Sequence, residues 1–570
     1  MKKGLLYFVL ILIVVSGGFL RFFNLNWDEN NMYHPDERNI ANAVAKINFF
    51  NNLNPEFFAY NGFPIYLYKS IGYLLTLKEN NYPFSTLLAA LYSQKELSFL
   101  NINSGWTRDW SKINLIGRFI SALSSTLSIY LIFLIGKNLI GEIGGLISAF
   151  IFAFTPSFIQ QAHFGVTESL LVFFLLLLSL LAIKILEEKK SIYWIYSGII
   201  SGLAIASKIP ALSFLIIPFL TWLISLLQEK KFLKYIALGF SFLIFTCLFF
   251  FIFSPYTIFD FQKFKESMVY ESGVVTGRLK VPYNWQFFGT LPYVFQWINL
   301  HWQTNIFLPT LGTLGLIFWL AKALAGREKI FALPLLIFAF LYFLYVGSWY
   351  TKFIRYTLPF IPFLILASVW LLLKIIQFHN TKILGVFLLI LVIFSSFLWG
   401  LAFFSIYTRR HTRLSASEWI YQNVPQNSVL LHEHWDDRLP GYIPGYDSSQ
   451  YIYLEMKNYD PDTPEKISEM SENLAKGDFL IISSRRLFGS IGKNPHEWPI
   501  TSKYYEKLFQ GKFGYTLVQK ITSYPKLLNF EIKDDLAEET FQVYDHPVVM
   551  IFKNEKRLSK ETIEKVLLHE

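Results

Sequence analysis

About eleven separate apolar runs, most of them near twenty residues long, constrain this chain more than any other feature of it. They lie near 4–20, 113–135, 142–156, 168–186, 192–207, 210–227, 235–254, 306–324, 330–348, 356–376 and 382–405. A helical run of ~20 residues covers the ~30 Å hydrocarbon core of a bilayer. Lipid offers no partner to an open backbone, so such runs cross as helices. The expected fold class is a polytopic α-helical membrane protein.

Composition agrees. Of the 570 residues 53% are hydrophobic and only 16% charged, against about 25% charged in soluble domains. The net charge of +10 would suggest nucleic acid in a soluble protein. Here the positive-inside bias of membrane proteins accounts for it, and no nucleic-acid partner is expected. With a lone cysteine, Cys247, there is neither an intramolecular disulfide nor a cysteine metal cluster.

Sidedness follows from the basic residues. With Lys2 and Lys3 cytoplasmic and Gly4–Leu20 an uncleaved first span, alternate turns carry Lys137, then Lys184, Lys189 and Lys190, then Lys230, Lys231 and Lys234, then Lys322, Arg327 and Lys329, then Lys374 and Lys382. All of these fall on the expected inside. The other side receives a long loop 21–112, a short turn 157–167, an aromatic loop 255–305 and a tail 409–570. The expected division is a transmembrane domain 1–408 and an extracytoplasmic domain 409–570, in a plasma (inner) membrane. Loop 255–305 is long and rich in Trp and Tyr, which favour the headgroup level, so interfacial helices are expected in it. In the tail, a helix start is expected at Ser415–Tyr421. Strands are expected at Ser428–Glu433, Phe479–Ser483, Tyr515–Ile521 and Val548–Phe552, and helices at Pro464–Ala475, Tyr504–Phe509 and Glu561–Leu568. This alternation predicts a small α/β domain.

Chemistry concentrates on the expected outside. His34-Pro35-Asp36-Glu37-Arg38 reads as a helix start with Pro35 at the first position and two acids in the first turn. Such acids favour the helix dipole. A carboxylate fixed there at the membrane surface also suits a general base. Trp27-Asp28-Glu29 is a second acidic pair without that context. His163 and Glu168 lie at the outer end of the fourth run, where an ionisable group is expensive and marks function, unless it is an interfacial acid in reach of water. Lys208, Lys352, Arg355 and Tyr356 lie on the same side. Cations there fit an anionic phosphate, or snorkel to lipid headgroups. His432 and His434 would share one strand face, which suits either a metal or a solvated strand end. Whether a divalent cation (Mg or Mn) takes part is left open by these residues.

Several of these segments resemble a known family. Arg21-Phe22-Phe23-Asn24-Leu25 followed by His34-Pro35-Asp36-Glu37-Arg38 is similar to the start of the GT-C glycosyltransferases, within them the protein mannosyltransferase and aminoarabinose transferase group (glycosyltransferase family 39). Gly117-Arg118, Pro156 to Glu168, Lys208-Ile209-Pro210 and Arg355-Tyr356-Thr357-Leu358-Pro359 follow in the family's order, over about residues 1–405. The resemblance implies transfer of a sugar from a polyprenyl-phosphate donor to a protein, lipid or glycan acceptor in the cell envelope. It implies that Asp36, and less directly Glu37, serves as base or acceptor-orienting group. Lys208 and Arg355 would meet the donor phosphate, with His34, Arg38, His163, Glu168, Lys352 and Tyr356 as further substrate contacts. Glu168 stands where some relatives have Asp, and Ile209 where the aminoarabinose enzymes commonly have Gly. A transporter or flippase of lipid-linked saccharides is the alternative. It would place ionisable groups near mid-membrane on symmetry-related broken helices, whereas here they gather at the outer ends and no repeat is seen.

Overall fold

A computed structural model describes residues 3–93 and 105–569. Part of the expected outer loop, 94–104, lies outside the described residues, as does Lys2.

Among the described residues eight helical segments are long and apolar enough to cross a membrane: Lys3–Phe22, Trp110–Ile140, Glu168–Glu188, Ile209–Glu229, Phe232–Phe253, Ile330–Gly347, Ile354–Gln377 and His379–Asn423. Two further apolar segments are bent pairs. Glu142–Ala153 turns by 58° into Pro156–Ala162, and Val294–Gln303 turns by 118° into Leu308–Leu324. With the shorter apolar helix Ile192–Ser207, every expected run has a helical counterpart, and the protein is multi-pass. The break at Lys208 is real. Lys208 is extended (φ −162°, ψ 131°) and is followed by a 3-10 turn over Ile209–Leu215. Pro210 removes a backbone donor at the point where the helix would continue.

The basic turns gather away from the cavity described below. Lys189 pairs with Glu229 at 3.3 Å and Lys374 with Glu328 at 3.0 Å. Lys329 donates to the Asn138 carbonyl. The loops expected on the outer side are largely helical among the described residues. Pro35–Lys46 and Gly62–Glu79 occupy the first, and Phe261–Thr276 and Val294–Gln303 the aromatic one.

The tail forms a five-stranded sheet from β1 (Val429–Glu433), β2 (Ile452–Met456), β3 (Phe479–Ile482), β4 (Tyr515–Ile521) and β7 (Val549–Asn554), in the order β2-β1-β3-β7-β4. A separate hairpin joins β5 (Lys526–Leu527) to β6 (Phe530–Glu531). Strands β2, β1 and β3 are parallel, and β7 runs antiparallel to both β3 and β4. Both faces of the sheet are covered. Leu430, Ile481, Val549 and Ile551 pack with Ala416 and Ile420 of helix Thr412–Asn423. Leu431, Leu480 and Ile482 pack on the other face with Leu474, Tyr504, Leu508 and Ile563. The α/β expectation holds, with two corrections. Strand β2 had no sequence expectation: it is an edge strand, more exposed than β1 or β3, and its apolar residues Ile452, Tyr453 and Leu454 run without the alternation of a one-faced strand. The first tail helix starts at Thr412 rather than Ser415, because the His411 side chain caps it by accepting from the Arg413 amide.

The tail is docked, not tethered. The core of the bundle continues into Leu414, Ala537, Phe541 and Val543. Trp285 of the aromatic loop packs edge-on against Trp498, ring centres 5.0 Å apart. The Asp545 carboxylate accepts from Tyr407 (2.8 Å) and Gln160 (3.1 Å), while His546 lies between Asp545 (2.6 Å) and Asp534 (2.7 Å). Burial pulls the His546 imidazole down, but the two carboxylates outweigh it and lift it to about 10. A raised folded-state pKa gives stability that is complete below the ordinary imidazole pKa of about 6.5 and is lost as pH rises through about 10. Thermal melts are expected to fall over that window in the native chain. In His546→Gln they are expected to start lower at pH 6.5 and to lose this part of the pH dependence; an unchanged profile in the variant would refute the linkage.

Candidate active site

The His34–Arg38 cluster does start a helix, Pro35–Lys46. The His34 side chain caps it, Nδ1 accepting from the Asp36 amide at 3.2 Å. Successive residues on a helix are turned by about 100°, so neighbours in this cluster diverge. Asp36 faces a large cavity. Glu37 turns into the protein, fully buried. Arg38 reaches the tail and pairs with Asp437 at 2.9 Å. The His34 ring packs against Tyr544 of the tail, centres 4.0 Å apart.

Glu37 is therefore not on the cavity. Its two oxygens take Nε (2.8 Å) and Nη2 (2.6 Å) of Arg118, and Oε1 also takes the Gly165 amide (2.5 Å). The same guanidinium donates twice to Asp28, at 2.9 and 2.7 Å, and lies over the Trp27 ring. Asp28, Glu37 and Arg118 form one buried structural unit. Gly117 makes the approach possible: a Cβ there would sit 3.0 Å from the Gly165 Cα and 3.1 Å from its carbonyl oxygen.

The cavity holds about 1090 Å³. Its polar end gathers Asp36, Tyr60, Glu168, Lys208, Glu271, Arg355 and Tyr356 from six separate stretches of chain. Arg355 Nη1 donates to Asp36 Oδ2 at 2.5 Å, and the Tyr60 hydroxyl to the same oxygen at 2.8 Å. Lys208 Nζ donates to Glu168 Oε1 at 2.8 Å and stands 4.4 Å from the centre of the Tyr60 ring. Two buried atoms are left over, the second oxygen Oε2 of Glu168 and the Nε of Arg355. Burial raises the Asp36 carboxyl, but Arg355, His34 and Lys208 outweigh it and hold the group well below the ordinary carboxylate range. Asp36 is thus a fixed anion: a strong hydrogen-bond acceptor and a weak proton acceptor.

Farther along, the wall is apolar and belongs to spanning segments. Leu212, Ile216, Leu341 and Tyr345 line it, and Leu212, Leu341 and Tyr345 are exposed. The tail closes the opposite side with Trp435, Arg486, Glu539 and Tyr544. Tail Glu538 Oε2 accepts from the Ile354 amide at 3.3 Å, which holds the backbone beside Arg355.

Of the further expected contacts, His34, Arg38, His163 and Lys352 are not on the cavity. His163 is buried, its ring stacked 3.6 Å from Tyr407 and its nitrogens against the carbonyls of Ile159 and Phe23. Lys352 donates to the Tyr350 carbonyl at 2.8 Å, and burial pulls its ammonium down to about 8. Each satisfies a local packing need. As for a metal, His434 pairs with Glu455 at 2.8 Å, and among the described residues no group of three or more His, Cys, Asp or Glu is placed to hold an ion. Tyr60, Glu271 and the four tail residues were missed in the sequence. None carries a local signal, because each reaches the cavity only through tertiary packing.

Residues 112–259 match the family model described as dolichyl-phosphate-mannose-protein mannosyltransferase. That segment contains Gly117-Arg118, Pro156 to Glu168 and Lys208-Ile209-Pro210. Over that segment the resemblance to the protein mannosyltransferase group is borne out. Among solved structures, the chain is similar to the oligosaccharyltransferase of Archaeoglobus fulgidus tethered with an acceptor peptide (13% identity, 88% of this chain and 72% of that one, TM-score 0.49). It is also similar to ArnT of Cupriavidus metallidurans bound to undecaprenyl phosphate (13% identity, 97% and 98%, TM-score 0.46). The S. cerevisiae protein O-mannosyltransferase complex shares 15% identity over 46% of this chain and 35% of that one, with a TM-score of 0.30. A search of curated proteins returns no match.

Proposed function

We propose that this protein is a GT-C glycosyltransferase that transfers a sugar from a polyprenyl-phosphate donor to a hydroxyl acceptor, at a site on the extracytoplasmic face of a plasma (inner) membrane. The observation that carries this reading is the pairing of spare cationic donors with an apolar wall formed by spanning segments. Lys208 can give three hydrogen bonds, and Glu168 takes one of them. Arg355 spends Nη1 on Asp36 and keeps a buried Nε without a partner. Both can meet phosphate oxygens and the charge that grows on the leaving group. The prenyl chain would lie along Leu212, Ile216, Leu341 and Tyr345. Asp36 would orient the acceptor hydroxyl towards the anomeric carbon. A single displacement inverts that carbon, by analogy with inverting glycosidases.

The transporter alternative is less well supported. Its cargo path would run through mid-membrane charges, whereas the cavity's charges sit at the ends of the spans 168–188, 209–229 and 354–377 and on the outer loops. Membranes carrying the protein, given undecaprenyl phosphate with a labelled hexose or pentose, are expected to release undecaprenyl phosphate and move the label to a second molecule. Movement of intact donor across the bilayer, with no labelled product from any donor, would overturn the proposal.

A further inference from the structure

Four carboxylates line the cavity: Asp36, Glu168, Glu271 and Glu539. Three are in ion pairs, with Arg355 at 2.5 Å, Lys208 at 2.8 Å and Arg486 at 2.7 Å respectively. Glu271 is the exception. It sits half-buried on helix Phe261–Thr276 of the aromatic loop and makes neither a hydrogen bond nor an ion pair among the described residues. The helix's other acid, Glu266, points elsewhere, exposed and bonded to Gln262. The charged and titratable groups that face Glu271 are Lys208, Arg355 and Asp36 across the cavity, with Tyr283 and Tyr356 beside it.

Transfer to a hydroxyl liberates one proton, and something must take it. Resting on the glycosyl-transfer reading above, we infer that Glu271 is the proton acceptor of the reaction and that Asp36 is the group that orients the acceptor. The acceptor oxygen forms a bond to the anomeric carbon while the bond from that carbon to the phosphate oxygen breaks. The bonding pair leaves with the phosphate, held by Lys208 and Arg355. The hydroxyl proton passes to a Glu271 oxygen and then to water in the cavity. A base needs a free lone pair in reach of the proton and an affinity for it near the working pH. Glu271 has both of its oxygens uncommitted. Burial raises its carboxyl from its ordinary value, an effect that Lys208 and Arg355 only partly offset and Asp36 adds to. A bound donor phosphate brings another negative charge and raises it further. Asp36 is held in the opposite direction.

The test compares Glu271→Gln, Glu271→Asp and Asp36→Asn with the native chain in membranes, using undecaprenyl-phosphate sugar as donor and reading kcat against pH. Glu271→Gln should lower kcat about a hundredfold or more and remove the acid limb of the profile, with melting temperature unchanged. Glu271→Asp should recover part of the rate and show a shifted limb. Asp36→Asn should lose rate but keep the limb. A Glu271→Gln enzyme within tenfold of native, or one that keeps its acid limb, overturns the assignment and leaves glycosyl transfer standing. A native protein inactive with every lipid-phosphate donor overturns the transfer reading, and the Glu271 role with it.

Discussion

Asp36→Asn is expected to lower the kcat of sugar transfer at least about a hundredfold while the KM for the lipid-phosphate donor stays level or falls. The two effects have separate causes. The Asp36 carboxylate fixes Arg355 and the Tyr60 hydroxyl on one oxygen. The amide that replaces it carries no charge, so an acceptor hydroxyl is held less firmly and with less accurate aim. The same change frees Arg355 from its anionic partner and makes the cavity one charge more positive, which favours a phosphate. A uniform rise in KM with unaltered kcat would show instead that Asp36 serves only to bind substrate. Steady-state kinetics over a range of donor concentrations separates the two cases.

The second large effect concerns stability. Arg118→Met is expected to cost about 3–5 kcal/mol, because it leaves two buried carboxylates facing each other without their cation. Asp28 and Glu37 are each no more than 1% exposed, so neither can turn to water for compensation. Loss of that size takes up much of the 5–15 kcal/mol that typically holds a domain together. It should show as a large fall in melting temperature and in the yield of membrane-inserted protein. The triple variant Asp28→Asn, Glu37→Gln, Arg118→Met removes all three charges and should recover much of the loss. If Arg118→Met melts like the native chain, the unit contributes little. If the triple variant is no better than the single one, the penalty comes from lost packing rather than from unpaired charge.

These predictions assign opposite duties to neighbouring residues, and that division could not be read from the order of residues alone. Asp36 and Glu37 look equivalent as two acids in a helix's first turn. A rotation of about 100° separates them, but which one faces a cavity depends on what packs against the helix. Arg118, 81 residues further on, draws Glu37 inward, and Arg355, 319 residues further on, meets Asp36. Asp28 looked unremarkable for want of a helix start, yet it shares the Arg118 guanidinium with Glu37. His163 carried the signal of an ionisable group at the end of an apolar run, and tertiary contacts spend it on two carbonyls and the Tyr407 ring.

What the sequence determined by itself is what depends on neighbours along the chain. The apolar runs set the spans, because a helix must satisfy its own backbone in lipid. Pro35 with its flanking His34 set the helix start. Alternating apolar segments set the α/β tail, except for the edge strand Ile452–Met456, whose apolar residues do not alternate. The order of short motifs set the GT-C resemblance, and the matching segment 112–259 agrees with it. The tertiary structure decided the rest: which acids meet which bases, that among the described residues Glu271 alone of the cavity's carboxylates goes unpaired, and that the tail forms a wall of the cavity. Charges pair across space, and the energy of a pair depends on distance and burial. Neither quantity is written in the spacing of residues along the chain.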